Sequence, residues 1–164
     1  MKEGQFGPCR SCGAAVATGE AGCQSLFDRL LARDFSDPLF FSTHRMTVDT
    51  YSLQHPERYC VSAKSFAAHF LSLYLILEKG SNPAVGSEAV HRWLNGPTLL
   101  VKPDLPARRG DITVADVADI ANPGDYKAAV RRWATSTWSA YSHLQPLAHS
   151  WAQAASSESR RHRR

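Results

Sequence analysis

The feature that most restricts the fold is the run Phe66 to Leu77, the most apolar stretch of the 164-residue chain. Phe66, Phe70, Leu73 and Leu77 recur at helical spacing, and Leu71, Tyr74, Leu75 and Ile76 widen the stripe nearly round the helix. A helix apolar on most of its circumference has to be surrounded by protein, so this one is expected at the centre of a bundle. It is too short for a membrane span of ~18 to 20 apolar residues, and His69 and Ser72 interrupt it. Ser62 is placed to cap its start and Gly80 to close it after Glu78.

The rest of the chain fits helices around that axis. Leu26, Phe27, Leu30 and Leu31 mark a first helix that begins near Cys23 and ends around residues 34–37. Asp37-Pro38 opens a second, read as one piece from Leu39 to Gln54, with Pro56 turning the chain at His55. A short helix over residues 84–94 follows Asn82-Pro83. Residues 96–110, with three prolines, read as a surface excursion that can cover a site. Asp111 or Thr113 caps a brief helix through Ile120, and a last long helix starts near Asp125, with Pro146 as a kink or the first turn of its continuation. The expected fold is all-α: a bundle of about five helices over residues 1–155 in one domain, with residues 1–22 as a loop-rich metal-binding arm and 156–164 as a basic disordered tail.

The net charge of +4 is matched by Arg160, Arg161, Arg163 and Arg164 alone, so the body is neutral. Such a tail contacts a polyanion only weakly or serves as a solvated end. The first residues, MKEGQFGPCRSCG, contain no apolar signal segment, which leads to the expectation of a cytoplasmic protein.

Cys9-Arg10-Ser11-Cys12-Gly13 has the spacing of a zinc knuckle: two thiolates three residues apart can grip one ion, and the glycine permits the tight turn. Cys23, at the mouth of the first helix, is the nearest third donor, and a histidine or Cys60 would be the fourth. A reducing compartment favours thiolate ligands over disulfides among the four cysteines. Zinc, or another divalent transition metal, is the expected cofactor.

The histidines suggest a second possibility. Tyr51 lies seven and His55 eleven residues from His44, so each projects within about 20° of His44 on a regular helix, and His69 sits on the central helix. His44, His55 and His69 are therefore candidate metal ligands in the bundle interior, with Asp49 and Glu78 as candidate catalytic bases or orienting carboxylates. His143 and His149 lie on the last helical segment, with Trp133 and Tyr141 near in sequence. No Ser-His-Asp pattern, phosphate-binding loop or dinucleotide glycine pattern is present.

Across nearly the whole chain the sequence resembles an uncharacterised family of bacterial proteins, chiefly from actinobacteria and other soil bacteria. The resemblance is carried by Cys9-x-x-Cys12-Gly13, Cys23, Val48-Asp49-Thr50-Tyr51 through His55-Pro56, Ser65 with His69, Leu77-Glu78-x-Gly80, Thr113 to Asp116, and Trp133 to His143. Members of that family often carry paired histidines where this chain has His143-Leu144. The resemblance implies that these Cys and His positions recur; it assigns no activity.

Two functions follow as expectations. One is a metal-binding helical bundle, in its sharper form a metal-dependent hydrolase or transferase acting on an unknown small molecule, by analogy with helical-bundle thiol transferases. The other is a non-enzymatic regulatory or interaction module, with a structural zinc and a protein partner.

Overall fold

A run of helix starts and stops written into the sequence divides the chain into nine α-helices among the described residues, 7–163 of the computed structural model. They are α1 (Gly19–Ser36), α2 (Pro38–Phe41), α3 (His44–Gln54), α4 (Pro56–Tyr59), α5 (Ala63–Lys79), α6 (Glu88–Asn95), α7 (Val114–Val117), α8 (Pro123–Ala140) and α9 (Gln145–Arg161). No strand forms among these residues; an isolated bridge joins Gly7 and Thr18. None of the helices is long and apolar enough to cross a membrane. Residues 1–6 of the expected arm and residue 164 of the expected tail lie outside the described residues.

Helix α5 is the axis that its composition requires. Phe66, Ala67, Phe70, Leu71 and Leu73 are fully buried, and α3, α4, α6, α8 and α9 all pack against it. Ser62 accepts from the Ser65 backbone N–H while the Ser65 side chain accepts from that of Ser62, and Gly80 closes the helix in the left-handed conformation at φ 67°. Phe66 and Phe70 stack at 4.8 Å and meet Trp138 of α8, Tyr141 just after it and Trp151 of α9. Each of these large buried side chains contributes about 1.5–3 kcal/mol to the favourable side of folding.

Helix α3 is buried for a different reason. Its mean character is polar, yet Met46, Thr47, Asp49, Thr50, Tyr51, Ser52, Leu53 and Gln54 are all inaccessible. Its polar groups find partners. The Gln54 side-chain amide donates to the carbonyls of Arg109 and Ile112 and accepts from Trp133 Nε1 at 2.9 Å. Tyr141 donates to the Leu53 carbonyl at 2.6 Å, and the Thr50 hydroxyl to that of Met46. A polar helix is tolerated at the centre because almost every buried donor and acceptor is satisfied.

Two expectations are corrected by these elements. The single helix over residues 39–54 is broken at Ser42-Thr43, where both hydroxyls bond back to carbonyls three residues earlier. Residues 156–161, expected as disordered, extend α9 to Arg161. Trp151 and Ala155 bury one face of that helix, and Arg160 and Arg161 suit its negative C-terminal end. Pro146 lies in the first turn of α9, which is separated from α8 by a 3₁₀ turn at Ser142–Leu144. The excursion through residues 96–113 lacks regular structure, and Thr113, with Asp116 returning the bond, caps α7.

Candidate metal centre

The N-terminal arm is a small-residue loop held by backbone bonds. Cys9 N–H donates to the Ala14 carbonyl and Gly13 N–H to the Cys9 carbonyl at 2.8 Å, which closes the knuckle. Gly13 has φ +80°, a conformation that side chains rarely adopt, so the glycine after Cys12 is a backbone requirement. Bonds between Gly7 and Ala17, and between Gly19 and Gly7, return the loop to the start of α1. This brings Cys9 and Cys12 over Cys23, one turn into that helix.

The fourth donor arrives from the end of α3. Pro56 stops the helix at His55, whose backbone leaves the helical region at φ −126°, ψ 53°. A carbonyl can only accept, so the 2.8 Å contact from His55 Nδ1 to the Tyr51 carbonyl puts the ring proton on Nδ1. The lone pair of Nε2 then points at the thiols, 3.5 Å from Cys9 Sγ and 3.4 Å from Cys23 Sγ. Tyr51 is sandwiched between Phe27 at 3.8 Å and His55 at 3.9 Å, which fixes the plane of the imidazole. The Tyr51 hydroxyl lies 3.5 Å from Cys23 Sγ as donor. A backbone acceptor for the second ring nitrogen and a hydrogen bond to a ligand sulfur are the supports that orient metal ligands.

Cys9, Cys12, Cys23 and His55 place one donor atom each within 4.8 Å of one another, the one such group among the described residues. A tetrahedral zinc with Zn–S bonds of about 2.3 Å and a Zn–N bond of about 2.0–2.1 Å has S···S edges near ~3.8 Å and S···N edges near ~3.5 Å. The cluster's 3.6 Å between Cys12 and Cys23 and its 3.4 and 3.5 Å to His55 are close to those edges. All four cysteines are free thiols. Cys9 is 2% exposed, Cys23 is fully buried and His55 is 6% exposed, while Cys12 is half-buried.

Crowding three thiols in a dry pocket divides their proton affinities. The hydrogen bond from Cys12, with that from Tyr51, brings the Cys23 thiol below its ordinary value against the cost of burial. The same bond to Cys23, then burial, pushes Cys12 far up, and burial raises Cys9. The pocket thus favours one thiolate and resists three. A divalent cation reverses this, because each sulfur then faces a positive charge.

The other candidate ligands lie elsewhere. His44 and His55 share a side of α3, but eleven residues at a 1.5 Å rise separate them by about 16 Å along the axis, too far for one ion. His44 Nδ1 meets buried Asp34 at 3.1 Å. Burial raises the Asp34 carboxyl above its usual range, opposed by His44 and Tyr126. Midway along the helix, Asp49 accepts from His69 Nδ1 at 2.9 Å; its second oxygen is buried without a partner among the described residues. Glu78 accepts from Trp138 Nε1 at 2.8 Å and ties α5 to α8. Cys60 is fully buried, its thiol pushed up to about 12 chiefly by burial, and it donates to the Ser52 carbonyl.

A family model matches residues 7–142, which span the knuckle, His55 and the bundle through α8. The chain belongs to DUF5946, a family of unknown function. No curated protein and no solved structure matches it. The DUF5946 match covers all four donors of the cluster, so the metal-ligand arrangement sits inside the part of the chain that the family shares.

One residue that the sequence did not single out ties the excursion to the site. Arg109, in the excursion, donates to the carbonyls of Ser11 in the knuckle and Gln54 beside His55, both at 3.4 Å, and pairs with Glu57 at 2.5 Å. Its side chain is only 10% exposed. Burial would raise the Glu57 carboxyl, but Arg109 and backbone hydrogen bonding hold it below its ordinary value. The excursion thus covers the site, as its position in the sequence suggested. Between it and the knuckle an open groove of about 640 Å³ reaches Cys12.

Proposed function

We propose that this DUF5946 protein binds one zinc ion through Cys9, Cys12, Cys23 and His55, and that the ion is structural, joining the arm to α1 and α3. The observation that carries this is the His55 tautomer: Nδ1 is committed to the Tyr51 carbonyl, so Nε2 faces two sulfurs at tetrahedral-edge distances. Three soft sulfurs and one imidazole form a zinc donor set, and four protein ligands leave no open position for a water or substrate. This favours a regulatory or interaction module over a metal-dependent hydrolase or transferase, whose three histidines lie apart, His44 at the start of α3, His55 just past its end and His69 on α5 beside Asp49. Thiolate ligands need a reducing compartment, which is the support for a cytoplasmic location.

Elemental analysis of the purified full chain tests this. One zinc per chain is expected, lost in Cys9→Ser, Cys23→Ser and His55→Ala and retained in His44→Ala and His69→Ala. Zinc retained in His55→Ala, or lost in His69→Ala with the fold intact, would overturn the assignment.

A further inference from the structure

At the far end of α5 from its Ser62 cap, a groove of about 520 Å³ runs between that helix and α9, and it shares no residue with the metal cluster. Its floor is Tyr74, 5% exposed, whose hydroxyl meets His149 Nδ1 at 2.9 Å. Leu75 and Ala152 supply apolar wall. Lys79 lies over the Tyr74 ring at 5.7 Å, and Arg160 faces it from α9 beside Ser157.

No carboxylate among the described residues offsets the charge here. No Asp or Glu among the described residues lines the groove, and neither Lys79 nor Arg160 forms an ion pair with a carboxylate among them. The two acidic neighbours in sequence point away. Glu78 is bonded to Trp138, and the Glu158 carboxylate lies over Gly96, at the end of α6. Two cations, the hydroxyls of Ser156 and Ser157, the Gln153 amide and an imidazole therefore converge on a pocket of ligand size with an aromatic floor.

We propose that this groove binds a small phosphate monoester whose organic part rests on Tyr74, Leu75 and Ala152. A phosphate monoester carries roughly two negative charges at neutral pH, which Lys79 and Arg160 would balance, and its oxygens are acceptors for a site rich in donors. Arg160 supplies a fork for two oxygens and Lys79 a point charge.

Titration of the full-length, metal-loaded protein with phenyl phosphate, followed by calorimetry and by backbone amide NMR, tests the proposal. The expected result is saturable one-site binding, tighter than that of inorganic phosphate, with the largest amide shifts at Ser156 and Ser157. Lys79→Gln and Arg160→Gln should each weaken it at least about tenfold, as expected for loss of a charged hydrogen bond. The double variant Arg161→Gln/Arg163→Gln should leave it unchanged. Circular dichroism confirms that each variant is folded. Absence of saturable binding would overturn the proposal. So would unchanged affinity in both groove variants, or binding to a single-stranded oligonucleotide that depends on Arg161 and Arg163 while phenyl phosphate fails to saturate.

Discussion

The arm that carries Cys9 and Cys12 and the bundle around α5 are held by different forces. The bundle buries Phe66, Phe70, Trp133 and Tyr141 completely, and Ser62, Ser87 and Asn122 cap α5, α6 and α8 with their side chains. The arm, residues 7–18, contributes Cys9 and Ala14 as its fully buried side chains and otherwise offers small residues, a glycine turn and a few backbone bonds. Burial at about 25 cal/mol per Å² cannot order so little apolar surface against its conformational entropy. A bound ion can, because ligand bonds from the arm, α1 and α3 meet at one point. A chain can thus keep a self-sufficient core and still depend on a metal for one segment and for whatever surface that segment presents.

Chelation should separate the two regions most sharply. Removing the metal is expected to reduce hydrogen-exchange protection in residues 7–18 to that of an unfolded chain while α5 and α8 stay protected; uniform loss across both would show that the arm and bundle are one cooperative unit. In the bundle, Trp133→Ala should cost about 3–5 kcal/mol in urea unfolding, through the cavity and the lost partner of Gln54. Gln54→Ala should cost about 1–3 kcal/mol by leaving the Trp133 N–H and the Arg109 and Ile112 carbonyls unpaired. Arg109→Gln acts at the seam. It should cost about 1 kcal/mol, since its partner Glu57 is largely exposed, and should speed exchange in the knuckle more than in α5. Ser62→Ala should cost about 1 kcal/mol or less and leave the knuckle untouched.

The same contrast explains what could be read in the sequence. The axial role of α5, with its caps at Ser62 and Gly80, was legible because an apolar stripe and two local signals agree. Cys9, Cys12 and Cys23 were legible as a donor set from spacing. The fourth ligand was not, because helical projection puts His44 and His55 on one side and says nothing of the 16 Å between them at a rise of ~1.5 Å per residue. Pro56 held the usable signal: it ends α3 at His55 and frees that ring to turn toward the thiols. The break at Ser42-Thr43 was hidden because hydroxyls bonding back to the preceding turn are compatible with helix or turn. Nothing local marks Arg109 or Gln54 either. Both act across more than fifty residues, Arg109 on Gln54 and Glu57 and Gln54 on Trp133, and such pairings arise only when the bundle closes.

X-ray absorption at the zinc edge of the purified protein tests the central claim most directly. A shell of three sulfurs at about 2.3 Å and one nitrogen at about 2.0–2.1 Å is the expected result. A shell made only of nitrogen and oxygen, or one of four sulfurs that includes Cys60, would contradict it.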